Sequence, residues 1–315
     1  MKLGKTTIEI SKIIMGTWQA GKHMWTGIND AESTKAIETA YNQGITTFDT
    51  AEMYGKGHSE RILGQALKNI RKKIVLATKA APHNLSRQKL INSCEKSLKN
   101  LETDYIDLYQ IHWPSGSFGS KKIPVEETLE AMNELKKQGK IRAIGVSNFS
   151  KDQLKEAMKT STIDSIQPPY SILWRHIEKD LLPFCQKNNI SILSYSSLGQ
   201  GLLTGKFNKN HKFEKGDNRR SNKLFSNEIL DKAIDVIDKI RPIALELGIS
   251  LTTLSLSWIT SRDGLAAIAG ARNALQAGEN AKASGFKLDK DIIEKINEAS
   301  LDLQQYLGES PVMWQ

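Results

Sequence analysis

Residues 36–54 read AIETAYNQGITTFDTAEMY, and residues 74–79 read IVLATK. In the first stretch Ala36, Ile37, Ala40 and Tyr41 recur at helical spacing and share one face of a helix over roughly 30–43. Gly44 fits the position just past a helix end, where the left-handed backbone is open to glycine without cost. A short strand follows at 46–48 and ends on Asp49. The run 74–78 is continuous and β-branched at its start, as a strand buried on both faces should be, and it ends on Lys79.

The same alternation extends outward. A helix near 87–100 leads into YIDLYQI at 105–111, and Leu129, Met132 and Leu135 mark a helix that Gly139 closes. IRAIGV at 141–146 follows at once, and Ser150 with Gln153 makes a capping box for the next helix. Further strands are expected at 163–166 (IDSI), 190–195 (ISILSY) and 266–269 (AAIA). Residues 13–16 complete a set of eight strands, most of them separated by one helix. Such alternation specifies a parallel sheet, and eight units point to a closed (β/α)8 barrel rather than an open sheet. The gap after 190–195 is longer than the others. It holds a polar stretch at 206–226, an extra helix near 227–246 and then the barrel helix near 250–261. A polar stretch of that length is either a lid or a mobile loop. The first dozen residues read as a small hairpin plugging the barrel floor. No linker interrupts the chain, so one domain over 1–315 is expected.

In a parallel barrel the C-terminal strand ends share one mouth, where barrel active sites are built. Asp49, Lys79 and His112 end three consecutive strands, and Tyr54 lies in the loop that Asp49 begins. These types suit proton transfer to a carbonyl oxygen. A phenol with its pKa near about 10 is a weak acid at neutral pH, and an adjacent ammonium lowers that value. The pattern therefore predicts that Lys79 acidifies Tyr54, that Asp49 holds Lys79 charged, and that His112 orients the carbonyl. Trp18 and Trp113 flank strand ends, with Trp25 nearby, and supply aromatic walls suited to a small carbonyl compound. The tail after Asn297 ends in Trp314-Gln315, a further aromatic candidate for the mouth. Arg272 precedes a helix whose N-cap reads as Asn273. A helix N-terminus with an Arg beside it makes a phosphate site, although Asn273 and Gln276 also suit plain capping.

Bulk properties exclude several classes. The net charge of +9, from 44 Lys and Arg against 35 Asp and Glu, would suit nucleic acid. The basic residues are scattered, however, in short groups at 71–73, 121–122 and 219–220, and a nucleic-acid footprint needs clustering on one face. A modest positive field around a small anionic ligand accounts for them more simply. Cys94 and Cys185 form no CxxC pair and no disulfide framework, which points to a reducing, cytoplasmic setting. No zinc spacing, secretory signal or membrane-length apolar run is present in the sequence, so neither a metal nor a membrane is expected.

Several segments resemble the aldo-keto reductase family, in its bacterial branches that act on small aldehydes and ketones. They are Gly16-Thr17-Trp18, Phe48-Asp49-Thr50-Ala51-Glu52-Met53-Tyr54-Gly55 with Ser59-Glu60, Thr78-Lys79, and Gln110-Ile111-His112-Trp113. Gly145-Val146-Ser147-Asn148-Phe149, Gly201-Leu202-Leu203-Thr204-Gly205-Lys206 and Gly270-Ala271-Arg272-Asn273 continue the likeness in order. The resemblance implies a barrel with a tetrad, here Asp49, Tyr54, Lys79 and His112, and with NADPH, less often NADH, as hydride donor. It places the substrate among Trp18, Tyr54, His112 and Trp113. It implies that Ser147, Asn148 and Gln167 hold the nicotinamide amide and that Tyr195 stacks on the ring. Ser196, Leu198, Gln200 and Lys206 would follow the ribose and pyrophosphate. Arg272, Gln276, Glu279 and Asn280 would hold the adenosine end, with Gly16, Thr17, Trp18, Asp49 and Gly270 also against the cofactor. Two motifs are decoys. Gly55-Lys56-Gly57-His58-Ser59-Glu60 lacks the third glycine of a dinucleotide fingerprint, and the Lys206 segment lacks the first glycine and the Ser/Thr of a P-loop. Two rival readings are a barrel that binds cofactor only to sense redox state for a partner, and a metal-dependent barrel hydrolase.

Overall fold

The structure is a computed structural model that describes residues 1–307; Trp314 and Gln315, expected near the mouth, lie outside the described residues. Eight strands, β1 (Ile13–Gly16), β2 (Thr47–Asp49), β3 (Val75–Ala80), β4 (Ile106–Ile111), β5 (Ile141–Ser147), β6 (Ser165–Gln167), β7 (Ser191–Ser194) and β8 (Leu265–Gly270), close into a barrel in chain order. Every neighbouring pair is parallel, and β8 returns to β1 with Ile14 opposite Ile268. The (β/α)8 expectation holds, and each strand falls within two residues of its expected place.

Side chains alternate along the strands, as the period of two requires. Val75, Ala77, Leu108, Ala143, Leu193, Ala266 and Ile268 pack inside the barrel, whereas Leu76, Ala80, Tyr109 and Ile111 pack with the outer helices. The expected floor plug is present. Leu3 N donates to Ile8 O at 2.9 Å and Ile10 N to Met1 O at 2.8 Å, and Leu3, Ile8 and Ile10 join the inner cluster.

The outer helices are α1 (Asp30–Asn42), α2 (His58–Leu67), α3 (Arg87–Asn100), α4 (Val125–Lys137), α5 (Lys151–Thr160), α6 (Leu181–Asn188), α7 (Asn227–Glu246), α8 (Leu251–Thr260), α9 (Ala274–Lys282) and α10 (Lys290–Leu307). Ser150 and Gln153 form the predicted capping box. The extra helix has a physical reason. All ten residues of α8, LTTLSLSWIT, are buried, and an all-round buried helix needs a cover, which α7 supplies on its outer side. The region read as a tail after Asn297 is helical as far as Leu307, because Ser300, Leu303 and Leu307 bury one face of α10.

Two close approaches shape the mouth. Gly55 sits at φ +61°, and a Cβ there would lie 2.2 Å from Gly21 O; a Cβ on Gly21 would lie 2.7 Å from the Tyr54 carbonyl carbon. The 19–21 turn is thus pressed onto the backbone of Tyr54. Gly55→Ala is expected to destabilise the protein by about 1–3 kcal/mol from backbone strain alone. A denaturant midpoint equal to wild type would show that the contact tolerates a side chain.

The 206–226 stretch is polar in composition but folds around Phe207, Phe213 and Phe225. Their rings lie 4.8–5.8 Å apart, and Arg219 Cζ stands 4.5 Å from the Phe213 ring. Asn218 N donates to Met24 O at 3.3 Å, which joins this stretch to the loop after β1 at the barrel mouth.

Candidate active site

The strand register places the chemistry. Gly16, Asp49, Ala77, Leu108 and Ala143 stand at one level, and Lys79, Gln110 and Gly145 stand at the next level toward the mouth. From that level Lys79 reaches across to β2 and the loop after it. Its Nζ donates to Asp49 Oδ1 at 2.6 Å, to Thr50 O at 2.7 Å and to Tyr54 Oη at 3.4 Å. Asp49 and Lys79 are both buried. Asp49 Oδ2 accepts from Gln167 Nε2 at 2.9 Å and from Gln110 Nε2 at 3.3 Å, so both carboxylate oxygens are satisfied. Buried ion pairs are tolerable only with such extra donors.

Around this pair the tetrad closes. The Tyr54 and His112 rings meet edge to face at 5.6 Å, and Trp18 lies 6.2 Å from Tyr54. Ser59, from the start of α2, donates to Thr17 O at 2.7 Å, and Glu60 accepts from Thr78 at 2.8 Å. These contacts brace the Tyr54 loop against β1 and β3. They explain the Ser-Glu pair that follows the tyrosine in sequence.

The electrostatics differ from the expectation at one point. Lys79 was expected to acidify Tyr54. Instead burial, with the Asp49 charge adding to it, pushes the phenol well above its ordinary value. The Lys79 ammonium is spent at short range on Asp49 and Thr50, and its contact with Tyr54 is the longest of the three. The resting phenol is therefore fully protonated. Burial lowers Lys79, and the charge of Asp49 opposes that shift.

Burial, reinforced by the Lys79 charge, holds His112 well below the usual histidine range. The imidazole is expected to stay neutral across pH 6–8. The sign for stability follows from linkage. Below the unfolded value of about 6.5 the unfolded chain gains a proton that folded His112 refuses, so this group costs stability as pH falls. An NMR titration of the His112 ring nitrogens checks this; protonation near pH 6.5 would contradict it.

A cavity of about 800 Å³ opens beside the tetrad. Of the catalytic, cofactor and substrate candidates read from the sequence among the described residues, all line it except Lys79, whose Nζ reaches Asp49 and Tyr54, and Asn273, which caps α9. Trp18, Met53, Trp113 and Phe118 make the tetrad end apolar, and Met24 and Trp25 line the wall between it and the cations. The Phe118 and Trp113 rings meet at 4.9 Å, with Phe118 held at φ +53°. Next to the tetrad, Asn148 is held by His112 O at 3.0 Å and accepts from Tyr195 Oη at 2.9 Å. Ser147 Oγ donates to Gln167 O at 2.8 Å.

The far end is cationic. Lys206, Arg219 and Arg272 all line it, and burial and then Arg219's charge hold the pKa of the other two below their ordinary values. Among the described residues, both polar atoms of the Gln200 side chain and Arg272 Nη2 are buried without a hydrogen-bond partner. Asn273 caps α9 by accepting from Gln276 N at 3.0 Å, and Gln276 Oε1 accepts from Arg272 N at 2.9 Å. The capping role of Gln276 is thus real, and it also fixes the Arg272 backbone. Glu279 is engaged by Thr253 at 3.1 Å and Lys282 at 2.7 Å, and Asn280 donates to Gly270 O at 3.2 Å. Unpaired buried donors, three cations and a helix N-terminus fit a ligand that is polyanionic at one end and planar at the other. No group of three or more His, Cys, Asp or Glu side chains able to hold a metal occurs among the described residues.

Sequence reasoning missed Gln110 and Arg219, besides apolar wall residues such as Met24, Met53 and Phe118. Gln110 had a signal: it lies two residues before His112 on the same strand, so the period of two puts both on the inner face. Arg219 had none, because its approach to Arg272 depends on how the 206–226 stretch folds.

Comparison with known proteins agrees with this geometry. The sequence pattern of the Aldo/keto reductase family matches residues 12–301. The chain is 38% identical to Aldo-keto reductase YhdN of Bacillus subtilis (strain 168), over 94% of this chain and 91% of that one. It is 35% identical to an NADH-specific methylglyoxal reductase of Escherichia coli (strain K12), over 94% of this chain and 98% of that one. The solved glycerol dehydrogenase AKR11B4 from Gluconobacter oxydans superposes with a TM-score of 0.85 at 31% identity, covering 99% of this chain and 96% of that one.

Proposed function

Because the chain belongs to the aldo/keto reductase family and acts as an oxidoreductase of aldehydes and ketones with a nicotinamide cofactor, we propose that Tyr54 is its proton donor and NADPH its preferred cofactor. The observation that carries this reading is the buried Asp49–Lys79 pair at 2.6 Å with the Tyr54 hydroxyl 3.4 Å from the same ammonium, on the wall of the cavity.

A nicotinamide cofactor, when bound, supplies the hydride that the carbonyl carbon receives. Ser147, Asn148 and Gln167 would hold its amide end beside the tetrad, and Lys206, Arg219 and Arg272 its phosphates. The protein's own residues manage the proton. Burial and Asp49 keep it on Tyr54 Oη until the carbonyl oxygen gains negative charge and takes it. The Lys79 ammonium then faces the new phenolate and stabilises it, and a solvent proton restores the phenol. Neutral His112 donates a hydrogen bond that orients the carbonyl oxygen without competing as an acid. The apolar tetrad end admits a small uncharged carbonyl compound and keeps water away from the reacting centre.

The test is oxidation of NADPH by the purified chain across a panel of small aldehydes and ketones. Turnover that requires the carbonyl supports the reading, and none over the whole panel overturns it. Cofactor choice has its own test. The gathered cations favour the extra phosphate of NADPH, and Arg272→Ala is expected to raise KM for NADPH about tenfold or more, with a smaller effect on NADH. A wild-type kcat/KM that strongly favours NADH would reverse the assignment.

A further inference from the structure

The cationic end of the cavity raises a physical problem. Arg219 and Arg272 carry like charges: burial and then Arg219 lower the pKa of Arg272, and the charge of Asp217 partly offsets them. Arg219 has a carboxylate partner: its Nε and Nη2 reach Asp217 at 2.9 and 2.5 Å. Among the described residues Arg272 has no hydrogen-bonded carboxylate, and its Nη2 is buried without a hydrogen bond. Yet both guanidinium carbons stand 5.3 Å from the centroid of one ring, that of Trp25. The face of an indole carries negative electrostatic potential and attracts cations within about 6 Å. The same ring meets Trp18 edge to face at 5.1 Å, and Trp18 lies 6.2 Å from Tyr54. The Asn218 N to Met24 O bond at 3.3 Å joins the stretch bearing Arg219 to the residue before Trp25.

We propose that Trp25 is a positioning residue for the nicotinamide dinucleotide: its indole face, beside Arg219 and Arg272 together, adds to the single carboxylate of Asp217 and holds both guanidinium groups for the ligand's phosphates. Through Trp18 the same ring ties that anion site to the wall beside Tyr54. The proposal rests on the reading that this cavity takes such a cofactor. Trp25 contributes no formal charge and needs no contact with the phosphates. It preorganises the groups that make that contact, and preorganisation raises affinity by reducing the ordering cost of binding.

The experiment is calorimetric titration of the full chain with NADP+ and NAD+ in wild type, Trp25→Phe and Trp25→Leu. Phe keeps a ring face; Leu keeps apolar bulk without one. Trp25→Leu is expected to weaken NADP+ binding about tenfold, and Trp25→Phe by no more than about threefold. A loss confined to NADP+ places the arginine pair at the ribose phosphate, and a loss on both dinucleotides places it at the pyrophosphate; either supports the role. The unfolding midpoint of each ligand-free variant is measured beside it. A Leu variant that binds like wild type, or a Phe variant as weak as the Leu variant, overturns the proposal and leaves the reductase assignment standing. Wild type that binds neither dinucleotide overturns the cavity reading and the Trp25 role together.

Discussion

Replacing Tyr54 with Phe is expected to lower kcat for carbonyl reduction by about 10²–10⁴-fold while dinucleotide affinity and stability stay near wild type. The substitution removes one hydroxyl. The ring keeps its edge-to-face contact with His112 at 5.6 Å and its neighbour Trp18 at 6.2 Å. Lys79 keeps Asp49 and Thr50 and loses only the longest of its three contacts. The structural cost is therefore small, and what disappears is the group that can deliver a proton to the developing alkoxide. Steady-state kinetics with a reactive aldehyde, paired with a binding titration, separates the two effects. A Tyr54→Phe enzyme that reduces aldehydes at the wild-type rate would remove Tyr54 from the chemistry.

The second large effect falls on Lys79. Lys79→Met is expected to cost about 3–5 kcal/mol of stability as well as turnover, because it leaves the buried Asp49 carboxylate without its cation. The two amide donors, Gln167 at 2.9 Å and Gln110 at 3.3 Å, remain and hold the loss toward the lower end. Asp49→Asn combined with Lys79→Met should recover part of the loss at neutral pH, since it removes the unpaired charge. Urea titrations of the two variants at pH 7 check both statements. A Lys79→Met protein as stable as wild type would mean that the Asp49–Lys79 pair does not hold the fold.

Much of this site could be read without coordinates because barrel geometry turns sequence position into spatial position. A residue that ends a parallel strand must stand at the mouth, so Asp49, Lys79 and His112 were brought together by topology alone. Arg272 followed from helix-terminus physics, and Asn273 caps α9 as its type and place require. Gln110 was legible in principle from its parity with His112. The C-terminal helix was undervalued for a different reason. Its one buried face depends on α7, which packs against it from distant sequence.

The direction of the Tyr54 shift lay beyond the sequence. Which residues neighbour one another is a matter of order along the chain, but a pKa depends on distances and on burial. A phenol beside a lysine is acidified only if the ammonium is free to face it, and here the 2.6 Å bond to Asp49 engages that charge first. The meeting of Arg219, Arg272 and Trp25 likewise belongs to the tertiary structure. Three loops far apart in sequence deliver those side chains, and loops carry no periodicity from which their packing can be derived. The sequence by itself determined the barrel and which side chains gather at its mouth, because the periods of strand and helix are properties of the backbone. Only the folded structure decided how the charges at that mouth are shared, because electrostatic energies depend on separations and desolvation that arise once the loops are packed.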